Sequence, residues 1–154
     1  MSKTKKLILS FTVVFAAAAV GSAFTTPAIT GWYQALRKPS FSPPNSIFGP
    51  AWTVLYILMA YSLSLVWSIG GPKAKTAMKI FGIQLFLNSL WSILFFGLKS
   101  PGLALAEIVV LWVMILLTIL KFLKVSKTAG YLLFPYLAWV SFASILNLAI
   151  YKLN

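Results

Sequence analysis

The side chains with the type and spacing to recognise a ligand are a few primary amides set among tryptophans. Gln84, Asn88, Trp91 and Phe95 recur at three- and four-residue intervals. On a helix, at about 100° per residue, they fall within an arc of roughly 60°, with Ser92 beside them. Tyr136, Trp139, Ala143 and Asn147 occupy roughly 80° of arc on a second stretch. Trp52 and Tyr56 sit one turn apart on a third. Three helices that each present an aromatic and polar face would line a pocket with large flat walls and a few hydrogen-bonding groups, which suits a large apolar ligand. The same amides can instead bond helix to helix, at about 0.6–2 kcal/mol per bond in lipid. For any single amide both readings stand; for the set, with three tryptophans beside it, the pocket is the better reading.

Other chemistry is excluded by what the chain lacks. It has no histidine, no cysteine and one acidic side chain, Glu107, among 154 residues. Acid–base pairs, histidine-based triads, thiolate chemistry and ordinary zinc or calcium sites cannot be assembled from such a set, so no metal or required cofactor is expected. The lack of histidine and cysteine also argues against iron-ligated haem. Glu107 reads either as a helix-packing partner near the membrane edge or as a functional carboxylate, and it lies outside the aromatic and amide faces. Trp67 and Trp112 read as interface or lipid-facing residues. The net charge of +12 does not point to nucleic acid, because the basic residues flank apolar runs and no nucleic-acid motif accompanies them. There they set topology and meet anionic membrane lipid.

These residues must be positioned by membrane-spanning helices. The chain is 60% hydrophobic and 9% charged, against about 25% charged in a soluble domain. Apolar stretches at about residues 7–24, 51–69, 80–98, 103–121 and 130–150 each approach the roughly 20 residues needed to cross the hydrocarbon core. The expected fold is an all-α bundle of five transmembrane helices forming one domain over residues 1–154. Pro27, Pro39, Gly70-Gly71-Pro72, Ser100-Pro101-Gly102 and Ser126–Gly130 are expected to mark the boundaries, and Pro50 the first turn of the second helix. The first stretch also has the layout of a signal peptide, but its apolar run is longer than the usual signal core of about 7–15 residues. Its Ala17-x-x-x-Gly21 and Ala18-x-x-x-Ser22 spacings suit close helix approach. Nine lysines lie on the N-terminal side of such a bundle. Arg37, Lys38, Lys99 and Lys152 lie on the other, so the N-terminus is expected inside. The loop at about residues 25–50, with its prolines and aromatics, reads as an ordered cap over one mouth, or as an interfacial aromatic belt.

Four blocks then carry a resemblance. The first is Trp32-Tyr33-x-x-Leu36-x-Lys38-Pro39-x-Phe41-x-Pro43-Pro44, followed by Phe48-x-Pro50-x-Trp52-Thr53-x-Leu55-Tyr56. The third is Gln84-Leu85-x-Leu87-Asn88-x-x-Trp91-Ser92-x-x-Phe95-Phe96, and the fourth Pro135-Tyr136-x-x-Trp139-x-x-Phe142-Ala143-x-x-Leu146-Asn147. In order and spacing they resemble the TspO/translocator protein family, the tryptophan-rich sensory proteins or peripheral-type benzodiazepine receptors, in their bacterial form. The resemblance implies a five-helix bundle whose cavity is closed by the first loop. It implies a homodimer that binds tetrapyrroles such as protoporphyrin IX and hydrophobic drug-like ligands of benzodiazepine type. Sterol binding is not carried over, because Lys152 follows Tyr151 without the spacer of the sterol pattern. On this footing the ligand-binding candidates are Trp32, Trp52, Tyr56, Gln84, Asn88, Trp91, Phe95, Tyr136, Trp139, Ala143 and Asn147, with Arg37 and Lys38 as candidate propionate contacts. Three functions compete: a membrane receptor or sensor, a light-dependent porphyrin-degrading enzyme with Trp52 and Trp139 as the catalytic candidates, and a porphyrin carrier. A receptor in a bacterial cytoplasmic membrane is the leading expectation.

Overall fold

In lipid a backbone must satisfy its own hydrogen bonds, which leaves long apolar stretches the choice of helix or closed barrel. The computed structural model, which describes residues 1–154, contains helices and no strand. Helix α1 (Lys3–Ala28) runs on through a wider π turn at Ile29–Tyr33. After the first loop come α2 (Asn45–Ile69) and α3 (Pro72–Ser92), the latter extended by a π turn at Ile93–Gly97. Then follow α4 (Pro101–Val125), the short α5 (Lys127–Tyr131) and α6 (Phe134–Leu153). Five segments are long and apolar enough to span a membrane: Lys3–Tyr33, Asn45–Ile69, Pro72–Gly97, Pro101–Val125 and Lys127–Leu153. At 1.5 Å per residue a 25-residue helix reaches about 37 Å, more than the roughly 30 Å hydrocarbon core.

The helices overrun the expected boundaries, and two prolines explain much of the difference. Pro27 lies inside α1 rather than ending it, and Pro50 lies in the second turn of α2, which starts at Asn45. Membrane helices tolerate internal proline because neighbouring groups satisfy the carbonyl it frees. The irregular part of the first loop therefore shrinks to about residues 36–44. Sharp stops come where expected elsewhere. Gly70 and Gly71 take φ of 71° and 90° between α2 and α3, a region open to glycine because it has no Cβ. Ser100 and Ser126 accept hydrogen bonds from Leu103 and Ala129 and so cap α4 and α5.

Each spanning helix buries one face and leaves the other apolar and uncovered. Ile57, Phe86, Val109, Val110, Val113 and Ile145 are among the large exposed hydrophobic residues, and a belt of this kind is stable against lipid tails. Inside, Val14, Met59, Ala77, Ile115 and Phe122 are fully buried, and Phe81 stacks on Phe122 at 5.7 Å. A second cluster gathers Tyr33, Phe95, Ala104, Leu146 and Ile150 at the end of the bundle that carries the first loop. The small-residue spacing of α1 is used against α3. Ser89 donates its hydroxyl to the Ala17 carbonyl at 2.9 Å, and a Cβ on Gly21 would stand 3.2 Å from the Ser92 hydroxyl.

Candidate functional site

The helical repeat of about 100° per residue turns the amides of α3 and the aromatics of α6 inward together, and a cavity of about 570 Å³ opens between them near the first loop. That volume falls in the range of sites that take drug-sized ligands, about 300–1,000 Å³. Trp52 and Tyr56 of α2, Asn88, Trp91 and Phe95 of α3, and Trp139, Ala143 and Asn147 of α6 all face it. No Lys, Arg, Asp or Glu lines it. Its flat walls are built from packed rings. Trp91 stacks on Phe95 at 4.9 Å, Trp52 on Tyr56 at 5.5 Å, and Phe48 meets the Trp139 ring edge-on at 6.2 Å.

The amides are both lining and glue, and their partners say how. The Tyr56 hydroxyl donates to Asn88 Oδ1 at 2.9 Å, and Asn88 Nδ2 donates to the Tyr136 hydroxyl at 2.8 Å. Tyr136 in turn donates to Gln84 Oε1 at 2.8 Å. This chain of bonds stitches α2, α3 and α6 under the cavity floor. Nearer the loop, Trp91 Nε1 donates to Asn147 Oδ1 at 3.0 Å, and Asn147 Nδ2 donates to the Pro101 carbonyl at 2.9 Å, tying α3, α6 and α4. Of the three indoles that line the cavity, Trp91 donates its N–H within the protein, whereas Trp52 and Trp139 make no such bond.

Five candidates from the sequence stand outside the lining. Gln84 and Tyr136 are buried, 1% exposed each, and do not line the void: Tyr136 holds Asn88, and Gln84 holds Tyr136. Trp32 packs edge-on against Phe95 and Phe96 at 5.6 and 6.3 Å, while its neighbour Tyr33 reaches the cavity. Arg37 and Lys38 lie in the loop outside the lining. The Arg37 side chain is exposed, and Lys38 Nζ sits 4.7 Å over the Tyr33 ring and donates to the Gln34 and Leu36 carbonyls.

The wall formed by α1 was not picked out from sequence. Phe15, Ala18, Ser22, Thr25 and Ile29 recur at three- and four-residue steps along one face and line the cavity. Their periodicity was the available signal, but small residues at that spacing read equally well as helix packing. Trp112, expected at an interface or toward lipid, is half-buried and donates its indole N–H to Ser141 on α6 at 2.7 Å. Glu107 is buried, and neither of its carboxyl oxygens has a hydrogen-bond partner.

The model of the TspO/MBR family matches residues 10–153. A tryptophan-rich protein TspO of Archaeoglobus fulgidus is 46% identical over 149 residues, covering 97% of each chain. The human translocator protein is 38% identical over 138 residues, covering 88% of this chain and 82% of its own. A tryptophan-rich sensory protein of Cereibacter sphaeroides is 37% identical over 140 residues, covering 89% and 87%.

Proposed function

The chain belongs to the TspO/MBR family, and from that premise we propose that this integral membrane protein is a receptor or sensor that binds tetrapyrroles, protoporphyrin IX among them, and hydrophobic drug-like ligands in its aromatic cavity. The observation that carries the reading is the lining itself: an uncharged void of about 570 Å³ walled by three indoles, two of which keep a free N–H donor. A metal-free porphyrin is large, flat and aromatic, and each ring-on-ring contact contributes about 0.5–1.5 kcal/mol beyond burial. The free N–H groups suit an acceptor on the ligand. With no cation in the lining, the two propionates would be met at the loop end, where Arg37 and Lys38 are the basic residues. The names of the relatives, translocator protein and tryptophan-rich sensory protein, are in keeping with a membrane receptor or sensor. We place the protein in a bacterial cytoplasmic membrane with its N-terminus inside, as a homodimer.

A second reading, light-dependent degradation of the porphyrin, is favoured by one specific observation: Trp52 and Trp139, the indoles with unengaged N–H groups, both face the cavity. There a photoexcited porphyrin would have oxidisable rings within its own site. A carrier is the third reading. Equilibrium titration of the protein in lipid nanodiscs with protoporphyrin IX tests the receptor reading, and saturable tryptophan quenching with a shift of the porphyrin absorption band is expected. Illumination of the complex separates the second reading by a new product spectrum, and flux into proteoliposomes separates the third.

A further inference from the structure

We propose that Asn154 is a latch that holds the first loop closed over the cavity and so sets how fast a ligand enters and leaves, an inference that rests on the cavity being a binding site. The loop is short of bonds of its own. Between Leu36 and Pro44 its main chain makes one internal backbone hydrogen bond, from the Ser42 N–H to the Pro39 carbonyl at 3.1 Å. Pro39, Pro43 and Pro44 have no N–H to offer. Beyond that turn, the loop is held by Leu36 packed against the cluster of Tyr33 and Phe95, by the Phe41 ring against Phe142 at 6.3 Å, and by Lys38, which lies over the Tyr33 ring and bonds only to carbonyls of its own segment.

Asn154 supplies the side-chain tie from another element. Its Oδ1 accepts from the Arg37 N–H at 3.1 Å, and its Nδ2 donates to the Arg37 carbonyl at 2.9 Å. One planar amide thus pairs with both main-chain groups of one residue, as a strand neighbour would. The same Nδ2 donates to the Ile150 carbonyl at 2.8 Å, which fixes the amide against the last turn of α6. That helix carries Trp139, Ala143, Asn147 and Ile150 of the cavity wall, and Tyr33, Asn45 and Phe48, flanking the loop, line the cavity too, so the amide ties the loop to the helix at the mouth of the cavity. Arg37 and Asn154 are both exposed. Water competes for these bonds, and the tie is therefore weak enough to open without unfolding anything. Asparagine alone among short side chains offers a donor and an acceptor in this geometry: aspartate loses the donor, alanine both.

The test uses the full chain in nanodiscs and has two arms. In the first, stopped-flow tryptophan quenching follows protoporphyrin IX binding and release in wild type, Asn154→Ala and Asn154→Asp. Loss of two exposed hydrogen bonds is expected to raise association and dissociation rates together, by about five- to tenfold, with Kd nearly unchanged and Asn154→Asp intermediate. In the second arm, which needs no ligand, Ala143→Cys places the chain's one thiol in the cavity, and its reaction with a water-soluble maleimide is timed. Adding Asn154→Ala is expected to speed labelling by a similar factor. Unchanged labelling and unchanged rate constants overturn the latch. A rise in dissociation alone also overturns it, since that marks a ligand contact. If wild type binds no porphyrin, the binding reading fails, and the maleimide arm still decides whether Asn154 holds the loop.

Discussion

Replacing Asn88 by leucine tests the account where lining and scaffold meet. Leucine fills much of the same space but removes two bonds, one from the Tyr56 hydroxyl and one to the Tyr136 hydroxyl. Tyr136 keeps its bond to Gln84, whereas Tyr56 has no other acceptor. A net bond is worth about 0.5–1.5 kcal/mol in water-soluble proteins and averages about 0.6, with a maximum near 1.7, between membrane helices. Two such bonds predict a stability loss of about 1–3 kcal/mol. The freed Tyr56 ring also stacks on Trp52, so the floor of the cavity loosens and porphyrin affinity falls while helix content is retained. The assay is unfolding in mixed micelles combined with a double-mutant cycle of Asn88→Leu and Tyr136→Phe. A coupling of about 0.6–1.7 kcal/mol is expected between them. Strictly additive losses, or an Asn88→Leu variant with wild-type stability and wild-type affinity, would refute the proposed network.

Trp52→Phe and Trp139→Phe should each keep most of the porphyrin affinity, because the flat apolar wall remains; if the degrading reading holds, the pair together abolishes the light-driven spectral change, and a full-rate product in the double variant removes these residues from the chemistry. Gly21→Val places bulk on a Cβ 3.2 Å from the Ser92 hydroxyl, which must give way, and a loss of about 1 kcal/mol is expected; a thermal midpoint equal to wild type would contradict that contact. Glu107→Leu removes two buried, unpartnered carboxyl oxygens and should stabilise the bundle by about 1–3 kcal/mol without altering ligand affinity; destabilisation would mean that the carboxyl is engaged in the membrane. Single cysteines at Ser2 and Ser40, probed in intact cells with an impermeant maleimide, should react only at Ser40; the reverse pattern inverts the proposed topology.

Much of this arrangement could be read from the sequence, for a specific reason. A helix that spans lipid must turn one face inward, and Gln84, Asn88, Trp91 and Phe95 fix that rotation for α3 because amides seek partners inside the bundle. Relations between helices were not legible. Whether Asn88 meets Tyr56 and Tyr136, or Asn147 meets Trp91 and Pro101, depends on the relative heights of three helices, which packing sets. The division between lining and support was hidden for the same reason: Gln84 and Asn88 lie on one face, yet only Asn88 reaches the void. The α1 wall was obscured by chemistry rather than geometry, since Ala18, Ser22 and Thr25 are as good at letting helices touch as at bounding a cavity. Pro27 misled because proline ends helices in water more reliably than in a bundle that can satisfy the freed carbonyl, and Pro50 because proline favours the first turn whereas α2 already starts at Asn45.

The central claim is that a flat aromatic ligand occupies the space between Trp52, Trp91 and Trp139. Ala143 lies on that wall with little side chain of its own, so Ala143→Phe fills the cavity while leaving every described hydrogen bond in place. Paired titrations of wild type and Ala143→Phe with protoporphyrin IX, followed by tryptophan quenching and the porphyrin absorption band, test the claim most directly. The account predicts saturable one-to-one binding to wild type and at least a tenfold weaker affinity in the variant, about 1.4 kcal/mol. Equal affinity in the two proteins, or no saturable binding to wild type, would contradict it.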